Sequence, residues 1–457
     1  MAKHLNVSDN GRCLQRADGS PFFWMGDTAW QLFHRLDRED AERYLRNRAD
    51  KGFTVIQAVV LAELGGLDVP NPYGHRPLQD NDPTRPVDGY FEHVDWIVGK
   101  AESLGLVVGM LPTWGSYWNR TNPGSKSIFT RDNARTYGRF LGERYADKPI
   151  VWILGGDRFV ECEEENAVIR LMAAGLRDGD GGNHLITFHP RGPGRSSETY
   201  HLEKWLDFNM SQTSHASRHH DTGLSTAADY AFEPAKPTLD GEPRYEGIPV
   251  GFYNKGASPH LRFTDADARS AAYLSLLAGA CGHTYGNNNV WQMWEPGRDP
   301  VISADLPWYQ ALDHPGAFQM GYLARLFQSR PFPELRPAPE CVLDAPQAGP
   351  AKVRAAMAED KSWAMIYSTQ GAPFALNKSV FSASRLAEFW FDPRTGAIRH
   401  IHSGANHAYQ TFDPPTSGYG QDWLLLLEDP ERGFPAELFT RDKVISGTEK
   451  IDRPADW

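Results

Sequence analysis

Cysteine is scarce and scattered: Cys13, Cys162, Cys281 and Cys341 are the only four in 457 residues, and no Cys-x-x-Cys pair occurs. That spacing excludes a disulfide framework or a zinc ribbon and leaves reduced structural thiols. Long apolar runs are also missing. None approaches the roughly 18 residues of a membrane span, and the N-terminus, Met-Ala-Lys-His-Leu-Asn-Val-Ser, has no apolar core of a secretion signal. The expectation is a soluble chain with no membrane partner, cytoplasmic unless a signal was trimmed. Positive charge is nowhere clustered, and the formal net charge is -11, which argues against a nucleic-acid partner. There is no Gly-x-Ser-x-Gly elbow and no phosphate-binding glycine loop, so no cofactor is expected. His215, His219 and His220 lack a carboxylate at a recognised zinc spacing. Asp178-Gly179-Asp180-Gly181-Gly182 begins like a calcium loop but lacks the later acids and closing Glu, and reads as a helix-ending turn. No metal is expected.

What is present is a large apolar and aromatic fraction, 40% and 12%, with 14 Trp. The chain is long enough for one large and one smaller domain. After a hairpin over residues 5–24, apolar runs bounded by turn signals alternate with helical periodicity. The predicted strands are Phe22–Trp30, Phe53–Leu61, Leu106–Leu111, Pro149–Leu154, His184–Phe188, Leu206–Met210, Lys236–Asp240 and Gly282–Gly286. About eight strand–helix alternations in roughly 300 residues predict an α/β fold, a (β/α)8 TIM barrel. Asp37 and Gly52 mark the ends of the helix over residues 38–51. From Pro331 the texture turns to proline and hairpin spacing, with apolar runs at Trp363–Tyr367, Ala387–Phe391, Ile398–Ile401 and Trp423–Leu427. This predicts a barrel over residues 1–330 and a small antiparallel β-sandwich over 331–457.

In a parallel barrel the chemistry sits at the C-terminal strand ends. That filter selects Asp27, Gln57, Glu63, Trp114, Asp157 with Arg158, His189, Gln212, His215, Glu242 with Arg244, and His283 with the asparagine run that begins at Asn287. Asp157 follows a doubly buried strand and Gly155-Gly156, a placement that folding alone explains poorly. Only Asp157 and Glu242 have the setting of a reacting pair, as glycoside cleavage requires of two carboxyl groups. Asp27 suits hydrogen bonds to substrate hydroxyls at the pocket floor. Gln57, Glu63, Trp114, His189, Gln212, His215, Tyr245, His283 and Asn287 are further substrate-contact candidates. Competing roles stand beside these: a helix cap or an Arg158 partner for Asp157, an Arg244 partner for Glu242. Glu246 is the rival acid four residues on.

Trp24-Met25-Gly26-Asp27-Thr28-Ala29-Trp30, Gly52-Phe53-Thr54-Val55-Ile56-Gln57, Trp152-Ile153-Leu154-Gly155-Gly156-Asp157 and Asp240-Gly241-Glu242-Pro243-Arg244-Tyr245-Glu246 resemble the signature blocks of glycoside hydrolase family 140, the apiosidase-like family. Trp390-Phe391-Asp392-Pro393-Arg394-Thr395-Gly396 resembles the C-terminal module, named for collagen binding, that commonly follows its barrel. The resemblance implies release of terminal apiose, a branched pentose, from pectic oligosaccharides or small plant glycosides. It also implies a retaining mechanism with Asp157 as acid/base and Glu242 as nucleophile. The alternatives are a hydrolase for another terminal sugar such as arabinofuranose, and a non-catalytic carbohydrate- or collagen-binding protein.

Overall fold

The computed structural model of the chain describes residues 4–122, 124–435 and 438. Eight short segments form parallel strands: Trp24–Thr28 (β1), Val55–Leu61 (β2), Val107–Thr113 (β3), Ile150–Gly155 (β4), Ile186–His189 (β5), Asn209–Gln212 (β6), Thr238–Asp240 (β7) and Gly282–Tyr285 (β8). Every residue in them is buried, as expected for strands covered on one side by the barrel interior and on the other by helices. They pair in the order β5-β4-β3-β2-β1-β8-β7-β6, parallel throughout. The seam between β5 and β6 is bridged by single bonds. Asp207 donates its N–H to the Ile186 carbonyl at 2.9 Å. Its carboxylate accepts from Ile186 N–H at 2.6 Å, and the Thr187 hydroxyl reaches the Phe208 carbonyl at 2.7 Å. The result is a (β/α)8 TIM barrel.

The sixth strand differs from the predicted Leu206–Met210. Asp207 and Phe208 are used at the seam, so the ladder with β7 begins only at Asn209, opposite Thr238. Gln212 therefore ends β6 instead of lying beyond it. A two-residue antiparallel piece, Gly194–Arg195, pairs with Ser211 and Gln212 and covers that edge.

The helix Arg38–Lys51 has the predicted ends: Asp37 accepts the Asp40 N–H at 2.9 Å, and Gly52 stops it at φ 95°. Its inner face carries Tyr44 and Arg48, which hold Asp27 of β1 at 2.5 and 2.7 Å. Residues 5–22 form a three-stranded antiparallel sheet, one strand more than a hairpin. No helix among the described residues is long and apolar enough to cross a membrane.

The barrel is followed by an antiparallel β-sandwich. One sheet has six strands: Leu335–Pro337, Val353–Ala358, Trp363–Ser368, Trp423–Glu428, Arg385–Asp392 and Ala397–Ala405. The other has three, Val342–Asp344, Phe374–Asn377 and Tyr409–Phe412. Both faces of its central strands are covered. Ile366, Leu425 and Leu427 pack against Phe374, Leu376 and Phe412 of the small sheet. Met365, Tyr367, Leu424 and Leu426 pack with Ala272, Tyr273, Met320 and Leu323 of the barrel helices Asp265–Leu276 and Pro315–Gln328. Two-sided burial accounts for the unbroken apolar run Trp423–Leu427.

Within this shared core lies an ion pair. Arg269 donates twice to Asp422, at 2.8 and 2.5 Å, and Tyr367 adds a hydroxyl at 2.8 Å. Arg269→Ala strands a buried carboxylate, a change that costs about 3–5 kcal/mol. It should lower the urea unfolding midpoint clearly, whereas the apolar pair Arg269→Met with Asp422→Leu should retain more stability than the single variant.

Candidate active site

The end of β4 is shaped by close backbone approach. Gly155, Gly156 and Asp157 have φ of 94°, 99° and 56°. A Cβ on Gly155 would lie 2.3 Å from the His189 carbonyl oxygen, and one on Gly115 would lie 2.2 Å from the Gly156 oxygen. The loops after β3, β4 and β5 thus meet where only glycine fits. Asp157 stands next in the left-handed region, which Asp tolerates better than most residues. Its carbonyl accepts from Arg158 Nη1 at 2.7 Å, and the same nitrogen lies 3.3 Å from its carboxylate. Its own N–H is 3.4 Å from His189 Nδ1.

Glu242 lies two residues past β7. Gln57 Nε2 donates to the Gly241 carbonyl at 3.0 Å, and Gly241 donates to Ser211 at 2.8 Å. A Cβ at position 241 would meet the Met210 sulfur at 2.5 Å. So anchored, Glu242 places Oε1 3.1 Å from His215 Nε2 and Oε2 3.0 Å from His189 Nε2. The His189 approach lies off the line of a good hydrogen bond.

Asp157 and Glu242 line one cavity of about 360 Å³ together with Glu63, Trp114, Gln212, His215 and Tyr245. The other sequence candidates stand behind its wall. Asp27, expected on the pocket floor, is fully buried and closed off by Arg48 and Tyr44. Gln57 and His189 act through the Gly241 and Glu242 contacts above. His283 is buried beside Arg244, and burial and then that charge press its pKa down to about 3, so it is neutral. Asn287 bonds His314 at 2.8 Å and the Asn289 N–H at 3.0 Å. Glu246 is also off the cavity: it accepts from Tyr285 at 2.5 Å and from Gly316, in the first turn of helix Pro315–Gln328, at 3.1 Å. That is a helix-end role.

The sequence reading missed Trp30, Trp291, Ile248, Phe252, Tyr253, Val301, Ile302 and Arg191, all on the cavity wall. Trp30 and Trp291 follow β1 and β8 closely enough for the strand-end rule to have found them. The loops 248–253 and 301–302 carry no comparable signal, because they return to the cavity from far along the chain.

The two carboxyls are driven apart electrostatically. Burial raises Asp157, the Glu242 charge raises it further, and His189, Arg158 and Arg191 only partly offset this, leaving it at about 6. Burial acts on Glu242 in the same direction, but the close contacts and charges of His189 and His215 prevail and hold it well below the usual range. Glu63 is pushed up to about 8, by burial first and by the Asp157 charge second. Around neutral pH the cavity therefore holds an anionic Glu242 facing carboxyls that keep their protons more readily. Among the described residues, no group of three or more His, Cys, Asp or Glu side chains is arranged to hold a metal.

For Glu63 the linkage has a definite sign. Its folded pKa exceeds the unfolded value of 4.5, so its contribution to stability is intact below that value and is lost as pH rises toward about 8. Glu63→Gln carries no such proton. Its melting temperature relative to wild type should climb across that window and level off above it, as read by differential scanning calorimetry.

Comparison with known proteins agrees with the barrel and the sandwich. Residues 8–334 match the family model "Apiosidase-like, catalytic domain", and residues 337–428 match "Putative collagen-binding domain of a collagenase". One solved glycoside hydrolase is 33% identical at a TM-score of 0.85, covering 94% of this chain and 98% of its own. A glycoside hydrolase family 5 structure from Bacteroides vulgatus is 31% identical at a TM-score of 0.86, covering 96% of each chain. Comparison with curated proteins returns no match. With a catalytic-domain match spanning the whole barrel, the chain belongs to the apiosidase-like family and is a glycoside hydrolase.

Proposed function

We propose that the enzyme is a retaining glycosidase that releases a terminal apiose from plant glycosides or pectic oligosaccharides. Asp157 is the acid/base and Glu242 the nucleophile. What supports the roles is the opposite direction in which one cavity shifts its two carboxyls: burial and a neighbouring anion let Asp157 hold its proton up to about pH 6, while two histidines keep Glu242 ionised well below that. Such a split is what acid and nucleophile require at one pH.

In the first step the Glu242 carboxylate forms a bond to the anomeric carbon while the glycosidic bond breaks. Asp157 gives its proton to the departing oxygen. In the second step Asp157, now ionised, takes a proton from water, the water oxygen bonds to the anomeric carbon, and Glu242 is released as carboxylate. His189 and His215 hold the Glu242 oxygens in place. Trp114 Nε1 and Gln212 Oε1, on cavity-lining residues, have no hydrogen-bond partner among the described residues and suit sugar hydroxyls. The choice of apiose is supported by the catalytic-domain family match.

A panel of nitrophenyl pentosides and apiosyl glycosides tests the sugar. Turnover of arabinofuranosides alone would replace apiose, and turnover of none would overturn the hydrolase reading. Glu242→Gly should lose about 10³-fold or more in kcat on apiosides, by analogy with removal of other covalent nucleophiles. Azide should restore it, giving a glycosyl azide of inverted configuration; rescue at Glu246→Gly instead would reassign the nucleophile. The wild-type kcat/KM should rise at low pH as Glu242 ionises and fall as pH passes through the Asp157 value, about 6. Asp157→Ala should lose that falling limb. Its activity should drop about 10²–10⁴-fold on poor leaving groups and far less on nitrophenolates.

A further inference from the structure

We propose that the C-terminal sandwich is a positioning element for the Glu242–His215 pair, acting through the loop between β6 and the helix Gly223–Tyr230. The proposal rests on Glu242 acting in turnover as set out above.

That loop, residues 213–222, carries His215 near its start, and the sandwich grips its second half at two points. Lys352 and Arg354, on and beside the strand Val353–Ala358, reach Asp221 at 2.5 and 2.9 Å. Arg354 also donates to the Leu274 carbonyl at 2.7 Å, fixing the same grip to the helix Asp265–Leu276. The approach is tight enough that a Cβ on Gly223 would lie 1.3 Å from the Arg354 guanidinium. The second point is Tyr419, in the loop before Trp423–Glu428. Its hydroxyl lies 2.8 Å from Asp267 and 2.7 Å from the Thr264 hydroxyl. Asp267 accepts from Arg218 of the 213–222 loop at 3.1 Å, and the Arg218 guanidinium lies over the Tyr419 ring.

Arg244 carries this placement to the nucleophile. It sits two residues after Glu242, is fully buried, and spends its donors on backbone and hydroxyl oxygens instead of a carboxylate. It bonds the Arg218 carbonyl, the His220 carbonyl at 3.1 Å and the Ser270 hydroxyl at 3.2 Å. The Glu242 loop and the His215 loop are thus tied together from behind by Arg244, in the register that puts His215 Nε2 at 3.1 Å from Glu242. The sandwich fixes the far side of that tie. A module needed only for binding elsewhere has no reason to hold this one loop by both Asp221 and Arg218.

Glu242 is faced by His189 at the end of β5, His215 after β6, Asp157 after β4 and Tyr245 on its own loop, with Glu63 also on the cavity. Of these, only His215 lies on the gripped loop. Loosening the grip should weaken the His215 hydrogen bond to the carboxylate and leave the His189 contact in place. The test uses Tyr419→Phe and Arg354→Met in the full-length protein, both on the sandwich and off the cavity. Each should lower kcat about tenfold or more with KM little changed, as a small misplacement of a reacting group does. The Glu242 carboxyl, followed by ¹³C NMR in substrate-free protein, should titrate at higher pH than in wild type. A fall in melting temperature with the Glu242 titration and kcat unchanged would overturn the proposal. Should Arg354→Met not fold, Tyr419→Phe removes a single oxygen and decides alone. If wild type turned over no glycoside, the hydrolase reading would fail while the titration still judged the grip.

Discussion

A carboxylate can stay ionised inside a barrel only if donors meet it in fixed positions, and Glu242 imposes that demand on most of the molecule. Its two oxygens are met by His189 and His215, which end or follow different strands. Neither histidine can serve unless β5, β6 and β7 arrive in register. The β5–β6 seam, where regular pairing lapses, is bridged by the Asp207 and Thr187 bonds. Gln57 reaches across from β2 to fix the Gly241 carbonyl. The burial that makes Glu242 costly to ionise also raises Asp157 beside it. One environment shifts the two carboxyls in opposite directions because both histidines contact the carboxylate of Glu242 and neither contacts that of Asp157.

Much of this was legible in the sequence because it is local. Strand identity came from continuous apolar runs, the first long helix from Asp37 and Gly52, and the position of Asp157 from a buried strand running into Gly155-Gly156. The strand-end filter found both carboxyls, but it could not tell a side chain facing the cavity from one facing the helices. Asp27 illustrates the limit. Its position past an apolar run is what a substrate contact would have, yet Tyr44 and Arg48, one turn apart on the helix Arg38–Lys51, claim it first. His283 and Asn287 were misjudged for the same reason.

The sandwich was read only in part. Its longest apolar runs stand out, but Val342–Asp344, Phe374–Asn377 and Tyr409–Phe412 are three or four residues long, and partners distant in sequence define them. The leucine run at Trp423–Leu427 was visible as a strand, while the reason for its uniformity was not. One side faces the small sheet and the other faces the barrel.

That shared core bears on how such chains can be recombined. The two family models meet between residues 334 and 337, yet Leu424 and Leu426 interdigitate with Met320 and Leu323 across that point. A chimera joined there would bring an unmatched apolar surface to each half and break the buried Arg269–Asp422 pair. The halves are therefore expected to be inherited and to diverge as a pair, with compensating changes on either side of a junction that exists in the sequence and not in the packing.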